Sequence, residues 1–186
     1  VNEACSYHDF VEAMYHSHQV IDTMPAWLIC DSEFVFKYGI GTIHPGTRNL
    51  RKYEKTGYVT ISDTIGDLAT SLGINEIQLK MTVDRANEFA KTGIDTDFGK
   101  GDLELNRFNG DANNNPNPCL GYIEKPPFVA VAGTTLLTLR GQPGTKRGGS
   151  MSTTLKIYEA VAKLRSSSVA VTVMVWPSSS ISSSVP

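Results

Sequence analysis

Four histidines are the side chains in this sequence best suited to bind a metal ion. His8, His16 and His18 fall in a segment with helical spacing, and His8 lies four residues before Glu12, so these two side chains could share one helix face. His44 lies in a predicted turn. A zinc site needs three or four ligands that converge, and the sequence brings no such set together. We therefore expect no metal site.

A group of acidic residues could suggest calcium instead. Asp95, Asp97, Asp102 and Glu104 lie close together in the sequence. The ligand spacing of an EF-hand loop, with its closing glutamate, is absent from this group. Roles in forming turns and in contacting solvent are therefore the better interpretation.

A basic group with one aromatic residue could contact phosphate. It consists of Arg48, Arg51, Lys52 and Lys55, with Tyr53 among them. Acidic residues surround it, nothing repeats it, and the whole chain has a net charge of -2, so a broad surface for nucleic acid is not expected. We predict that residues 48–55 form an exposed loop or sheet edge.

Tyr38 lies in an aromatic-rich segment. It follows Phe34 and Phe36, so the residues alone favour packing with these rings as its role. The next residues, Gly39–Gly41, do not form a dinucleotide-binding motif, which needs a preceding strand, a following helix and a third glycine.

Three cysteines, Cys5, Cys30 and Cys119, lie far apart and form no C-x-x-C pair. We expect reduced thiols, neither a zinc site nor a disulfide framework, and a cytoplasmic protein. No run of 18 or more apolar residues occurs, so no membrane span is expected.

The elements that would position these residues begin with a helix over residues 7–20. Phe10, Val11, Met14 and His18 fall on one face of it at helical spacing.

Two more amphipathic helices are predicted between residues 63 and 93. Asp63 is the expected N-cap of the first, and Gly73 ends it. Asn75 is the expected N-cap of the second, with Gln78 three residues later, and Gly93 ends it. Their apolar stripes consist of Ile65, Leu68, Ala69 and Leu72, and of Leu79, Val83, Ala86 and Ala90.

Three strands are predicted at Trp27–Cys30, Tyr58–Ile61 and Phe128–Ala132, and they would cover the apolar stripes of the helix pair. The long loop, residues 93–127, shows no simple secondary-structure period. Loops of this length inside a compact domain are usually functional or disordered.

The composition changes near Ala132. Residues 1–131 carry 18 acidic and 11 basic side chains, whereas residues 132–186 carry one acidic and six basic side chains. Nine of the last 21 residues are serine. We interpret residues 132–165 as a diverged or out-of-frame segment and residues 166–186 as a disordered tail, with a β-prone run at Val169–Trp176 and a helix expected at Leu155–Leu164.

Several stretches, taken in order, resemble one family. They are NEACSYHDFVEAMYHSH, MPAWLICDSEF followed by KYGIG, the helix pair ending in ANEFAKTGIDTDFGKG, and NRFNGDANNNPNPCLGYIEKPPFVAV. These stretches resemble the FAD-dependent ketosteroid dehydrogenases and their fumarate-reductase-like relatives over residues 1–131. Gly144–Thr145, where a fumarate reductase would have His-Thr, favours the steroid-type members.

The resemblance implies an α+β cap domain that covers the flavin and the substrate. It implies that residues 1–6 are a remnant of the FAD-binding domain and residues 7–131 the cap domain, with the FAD-binding domain in cis in the complete protein. Asn2 and Glu3 would match the family's cofactor-binding Asn-Glu motif, and FAD would be the cofactor.

The implied reaction removes two hydrogens from adjacent carbons of a steroid-like ketone. A family member carries an acid–base tyrosine shortly after its Trp-Leu-Ile strand, and Tyr38 is the matching residue here. We expect this chain to be inactive alone, because most of the FAD site is not in it. The alternatives are a stand-alone interaction module and a truncated product without function.

Overall fold

The computed structural model describes residues 7–20, 26–133 and 173–175, together with Asn2 and Ala4. The helix expected at Leu155–Leu164 lies outside the described residues, as do Glu3 and Cys5.

A four-stranded antiparallel sheet forms the centre of the described fold. It consists of β1 (Trp27–Asp31), β2 (Thr60–Ser62), β3 (Phe128–Ala132) and β4 (Val173–Val175), in the order β2-β3-β1-β4. Ile29 pairs with Ala130, which also pairs with Thr60 on the other side. The apolar sequences of β1 and β3 follow from their central positions, because strands buried on both faces read as continuous hydrophobic runs.

The described part of the chain also contains six helices. They are α1 (Tyr7–Val20), α2 (Ser32–Tyr38), α3 (Arg51–Glu54), α4 (Ile65–Leu72), α5 (Glu76–Thr92) and α6 (Glu104–Asn109). Helix α4 packs against α5, β2 and β3, while α2 packs against β1. The result is the mixed α and β architecture with a small sheet that the sequence predicts.

One hydrophobic core lies between the sheet and these helices. Its largest fully buried members come from α2, β1, α4, α5, β3 and the turn after α2: Val35, Ile29, Leu68, Leu79, Val129 and Ile43. A smaller cluster joins Met14 to Ala26, with Phe10 and Val11 packed against it. The predicted inner face of α1 is confirmed for Phe10, Val11 and Met14. His18 is exposed, so its assignment to that face was wrong.

The helix pair is largely as predicted. Gly73 and Gly93 end the two helices in the left-handed conformation, with φ of 68° and 76°. Asn75 caps α5 by accepting a hydrogen bond from the Gln78 amide at 3.0 Å. The N-cap of α4 was assigned wrongly to Asp63: Thr64 accepts the hydrogen bond from the Asp67 amide at 3.0 Å.

Three other expectations need correction. The basic segment at 48–55 contains the short helix α3, and the long loop contains α6. Segment 166–186 was expected to be a disordered tail, but its β-prone run contains strand β4, in which Val173–Val175 pair with β1.

No helix among the described residues is long and apolar enough to cross a membrane.

Candidate functional site

Tyr38 is the last residue of α2, a short helix whose position is fixed by its first turn. Asp31, the last residue of β1, accepts a hydrogen bond from the Phe34 amide at 2.9 Å and so caps the helix. Phe34 and Val35 are buried in the core. Gly39 then ends the helix with a φ of 77°, a conformation that side chains disfavour. The strand, the cap and the glycine together place Tyr38 at the helix end.

The hydroxyl of Tyr38 contacts the long loop. Its oxygen donates a hydrogen bond of 2.6 Å to Oδ2 of Asp111. The ammonium nitrogen of Lys37 lies 2.7 Å from the same carboxylate oxygen. The ring of Tyr38 packs against that of Phe34 with their centroids 5.3 Å apart. The packing partner Phe34 is thus confirmed, whereas Phe36 is exposed and faces Arg48.

The charges around Tyr38 favour its neutral form. Partial burial raises the pKa of the Tyr38 phenol, and the hydrogen bond to Asp111 raises it further, while Lys37 opposes both effects. The ion pair with Lys37 and the hydrogen bond from Tyr38 hold the pKa of Asp111 well below its usual range. At neutral pH the site therefore contains a neutral phenol, an ionised carboxylate and an ammonium group. A tyrosine that acts as a base would need the ionised form, which these neighbours disfavour.

Asp31 ties the other end of α2 to the segment before β3. Its side chain is only 4% exposed, and its second oxygen accepts hydrogen bonds from the amides of Glu124 and Lys125 at 3.2 and 3.1 Å. The hydroxyl of Ser32 donates to the carbonyl of Lys125 at 3.0 Å. Helix α2 is thus attached to the long loop near both of its ends.

The long loop is held together by side chains that bond to its own backbone. Asp95 accepts hydrogen bonds from the amides of Asp97, Phe98 and Lys100, so the turn-forming role predicted for it is confirmed. Asn117 donates to the carbonyls of Gly93 and Lys100, which ties a later part of the loop to its first residues.

Asn2, a predicted cofactor residue, lies against α6. Its amide group donates to Oδ1 of Asn106 at 3.3 Å, and its oxygen accepts from the amide of Ala4 at 2.9 Å. Asn106 is 1% exposed and donates to the carbonyl of Ala4. The contacts of Asn2 are therefore with α6 and not with the Tyr38 site, and its cofactor role stays a prediction.

The described residues do not form a cradle for FAD. The amide of Asn2 is already engaged by Asn106 and Ala4, and the described part contains no strand–glycine-rich turn–helix unit of the dinucleotide-binding kind. A flavin would have to be held mainly by other parts of the protein.

The remaining candidates show ordinary structural contacts. The Nε2 atom of His16 lies 3.6 Å from Oε1 of Glu12. The side chain of His8 is outside the described part of the structure, so its predicted approach to Glu12 stays a prediction. Within the described ranges no three histidine, cysteine or acidic side chains gather as a metal site would require. Cys30 and Cys119 are buried thiols that form no disulfide among the described residues, and burial raises the pKa of Cys30.

Sequence reasoning singled out Tyr38, whose role stays a prediction, but not the residues that hold it and the loop in place. Asp111 and Asp31 bond to α2, Asn106 and Asn117 bond within and around the long loop, and none of the four was named as a candidate. The signal for two of them was the Asp/Asn-rich composition of the long loop, whose side chains are typical of turns. No periodicity reveals Asp111, since its partner lies 73 residues away in the sequence.

Comparison with known proteins defines the class. No family model matches the chain. Curated relatives include a 3-oxosteroid 1-dehydrogenase of Mycolicibacterium smegmatis, 36% identical over 127 residues that cover 68% of this chain and 21% of the relative. A 4-oxocyclohex-2-ene-1-carboxylate 5-dehydrogenase of Sinomonas cyclohexanicum is 37% identical over 69% of this chain and 22% of the relative. Both are dehydrogenases of oxo compounds.

A solved structure gives the same result for the fold. The 3-ketosteroid Δ1-dehydrogenase of Sterolibacterium denitrificans, in complex with 1,4-androstadiene-3,17-dione, matches with a TM-score of 0.67 and 37% identity over 70% of this chain. The chain belongs to the 3-oxosteroid 1-dehydrogenase family, which confirms the resemblance. It spans about a fifth of the length of the curated relatives it matches and 24% of the solved chain.

Proposed function

We propose that the complete protein is a flavin-dependent dehydrogenase that introduces a carbon–carbon double bond next to a ring ketone. We further propose that residues 7–131 form the cap domain over its substrate. The observation that carries this proposal is the similarity of about two thirds of the chain to two kinds of cyclic-ketone dehydrogenase at 36% and 37% identity.

The names of the relatives support one substrate class. In the 3-oxosteroid 1-dehydrogenase the oxidised position lies two ring atoms from the oxo group, as it does in a 4-oxocyclohexanecarboxylate 2-dehydrogenase. In the 4-oxocyclohex-2-ene-1-carboxylate 5-dehydrogenase the named position adjoins the oxo group. The shared element is a ketone whose neighbouring ring CH–CH bond is oxidised. A 3-oxosteroid is the substrate we propose, and a small oxocyclohexane carboxylate is the competing member of that class.

Tyr38 is our candidate for the acid–base residue of this reaction. A hydrogen next to a ketone is acidic enough to leave as a proton, and a positioned phenol oxygen can exchange protons with that carbon. FAD, when bound, would accept the second hydrogen as hydride, which is chemistry that belongs to the cofactor. The chain's own contribution is to hold the Tyr38 hydroxyl at a fixed place, which Asp31 and Asp111 do from the two ends of α2.

The surface around α6 supports contact with another domain. Its apolar side chains are more than half exposed in this structure: Ile94, Phe98, Leu103, Leu105 and Phe108. Clustered exposed apolar residues are typical of interaction sites. We assign this surface to the FAD-binding domain in cis. Asn2 and Ala4, which we propose belong to a remnant of the FAD-binding domain, bond to Asn106 of the same helix, and this supports the assignment.

If this assignment holds, the isolated chain is inactive and the activity belongs to the complete protein. The buried thiols of Cys30 and Cys119 are compatible with a reducing compartment, which supports the cytoplasmic location that we propose.

The test is an assay of the complete protein. The open reading frame that contains this chain is expressed, bound flavin is measured by its absorbance, and dehydrogenation is followed with an artificial electron acceptor. The substrates are a 3-oxosteroid, 4-oxocyclohexanecarboxylate and, as a control, the corresponding 3-hydroxysteroid without the ketone. We expect turnover of the 3-oxosteroid and none of the hydroxysteroid. If only the small carboxylate is turned over, the proposed substrate is wrong and the proposed reaction stands. A flavin-free protein that turns over neither ketone would contradict the proposal.

A further inference from the structure

The bond between Tyr38 and Asp111 fixes the direction of the phenolic hydrogen. A phenol has one hydrogen, and here it points to Oδ2 of Asp111 at an oxygen–oxygen distance of 2.6 Å. Lys37 binds the same oxygen at 2.7 Å, which keeps the carboxylate ionised and able to accept. The lone pairs of the Tyr38 oxygen are therefore directed away from the loop.

Asp111 is itself held in place by the loop. Its other carboxylate oxygen accepts a hydrogen bond from the Asn113 amide at 2.9 Å. Its backbone amide donates to the carbonyl of Pro118 at 3.0 Å, and its carbonyl accepts from the amide of Asn114 at 2.8 Å. The side chain is 12% exposed. A carboxylate fixed by this many bonds is preorganised, so it can orient a partner instead of following it.

We propose that Asp111 is the positioning residue for Tyr38: it accepts the phenolic hydrogen and so fixes the direction of the hydroxyl, and in the proposed reaction this hydrogen would pass to Asp111 as the phenol oxygen takes the proton of the substrate. For its catalytic consequence this inference rests on the proposed function. Its structural content concerns only Tyr38, Lys37 and Asp111.

The two charged groups at the site affect the ionisation of Tyr38 in opposite directions, and each effect can be tested. The charged groups that face Tyr38 among the described residues are Asp111, from the loop, and Lys37, from its own helix. A tyrosinate here would stand beside the carboxylate at hydrogen-bond distance, and like charges this close are unfavourable. Removing the carboxylate should make Tyr38 easier to ionise, and removing the ammonium group should make it harder.

The experiment is a pH titration of Tyr38 in the full chain, labelled at the Cζ carbon of tyrosine and followed by NMR. The Tyr38→Phe variant identifies its signal among the seven tyrosines. Asp111→Asn preserves the shape of the side chain and removes its charge, and Lys37→Met preserves the aliphatic stem. Asp97→Asn is the matched control, because the carboxylate of Asp97 pairs with Arg85.

We expect the Tyr38 titration to move to lower pH in Asp111→Asn, to higher pH in Lys37→Met, and to remain in place in Asp97→Asn. An unchanged or upward-shifted titration in folded Asp111→Asn overturns the inference. If Asp111→Asn does not fold, Lys37→Met decides alone: a titration that does not rise overturns the inference as well.

A second readout separates this inference from the proposed function. In the complete protein Asp111→Asn should lower kcat by about 10-fold or more, because the amide neither holds the Tyr38 hydroxyl in the same way nor can take up its hydrogen. The limb of the pH–rate profile that reports Tyr38 should move in the same direction as the NMR titration. If the titration shifts as expected but Tyr38→Phe keeps full activity, the positioning by Asp111 stands and the proposed role of Tyr38 fails.

Discussion

The hydroxyl of Tyr38, at the end of α2, donates its hydrogen to Asp111 in the long loop, 73 residues further along the chain. This bond means that the helix after β1 and the loop before β3 form one site. Asp31 makes the same connection from the start of the helix, through the amides of Glu124 and Lys125. The long loop therefore serves as a support for Tyr38.

Replacing Asp31 tests that support. Asp31→Asn substitutes an amide donor for one carboxylate oxygen of a buried residue, so at least one of the three backbone amides that it binds loses its acceptor. We expect the free energy of unfolding to fall by about 1–3 kcal/mol, the range for an unsatisfied buried polar group. Urea unfolding measures it.

The matched control for this change is Asp63→Asn, because Asp63 is exposed. Its effect should stay within about 0.5 kcal/mol, as for most surface substitutions. Equal effects of the two substitutions would contradict the role given to Asp31.

The cap of α4 gives a second prediction. Thr64→Ala removes the hydroxyl that accepts from the Asp67 amide and donates to its carboxylate, so we expect a loss of about 0.5–2 kcal/mol in the free energy of unfolding. Asp63→Ala, at the neighbouring position, should cost less. Thermal unfolding of the two variants side by side decides, and a larger loss for Asp63→Ala would show that the cap lies one residue earlier.

Gly39, the residue that follows Tyr38 and ends α2, gives a third prediction, on stability. In Gly39→Ala the new Cβ would meet the carbonyl oxygen of Ile43 and the ring of Pro45, in a backbone conformation that is itself strained. Gly46→Ala has a similar φ of 80° but open space around the new Cβ, and is the matched control. Both variants should lose stability, Gly39→Ala by the larger amount. Equal losses of stability in the two variants would contradict this prediction, because the turn would then relieve the clash at Gly39→Ala without a cost in free energy.

The pH dependence of stability gives a fourth prediction. The pKa of Asp111 is lower in the folded chain than its ordinary value of 3.8, because Lys37 and Tyr38 stabilise the carboxylate. A lowered folded pKa stabilises the fold above the ordinary value, and this stabilisation is lost as the pH falls through the folded pKa.

The stability difference between the unaltered chain and Asp111→Asn should therefore be constant near neutral pH and decrease as the pH falls below about 3.8. Chemical unfolding at a series of pH values measures it. A difference that grows on acidification would contradict the ion pair with Lys37.

The predictable parts of this fold are those with local signals. Helices α4 and α5 were identified because an apolar stripe, a cap and a left-handed glycine all lie within one short segment, as Asn75 and Gly93 illustrate. The N-cap of α4 was assigned one residue too early because Asp63 and Thr64 are both good caps, and only the geometry selects one. Strands β1 and β3 were identified from their continuous apolar runs.

The missed parts depend on long-range contacts. Helix α2 is too short to show a stripe and forms because Asp31 caps it and the core buries Phe34 and Val35. Asp111 becomes a partner of Tyr38 only when the loop folds back. Tyr38 was proposed as an acid–base residue from the family resemblance, because the sequence around it alone favours packing with Phe34. In the structure its ring packs on Phe34 and its hydroxyl bonds to Asp111.

The central claim is that Tyr38 exchanges a proton with the substrate in the complete protein. The most direct test is kcat for a 3-oxosteroid with Tyr38→Phe, which keeps the ring that packs on Phe34 and removes only the hydroxyl. Tyr122→Phe, at an exposed position, is the matched control. We predict that kcat falls by about 10²–10⁴-fold in Tyr38→Phe, as expected for the loss of a general acid–base group, and stays unchanged in Tyr122→Phe. A folded, flavin-loaded Tyr38→Phe protein with unaltered kcat would contradict the claim and return Tyr38 to a packing role.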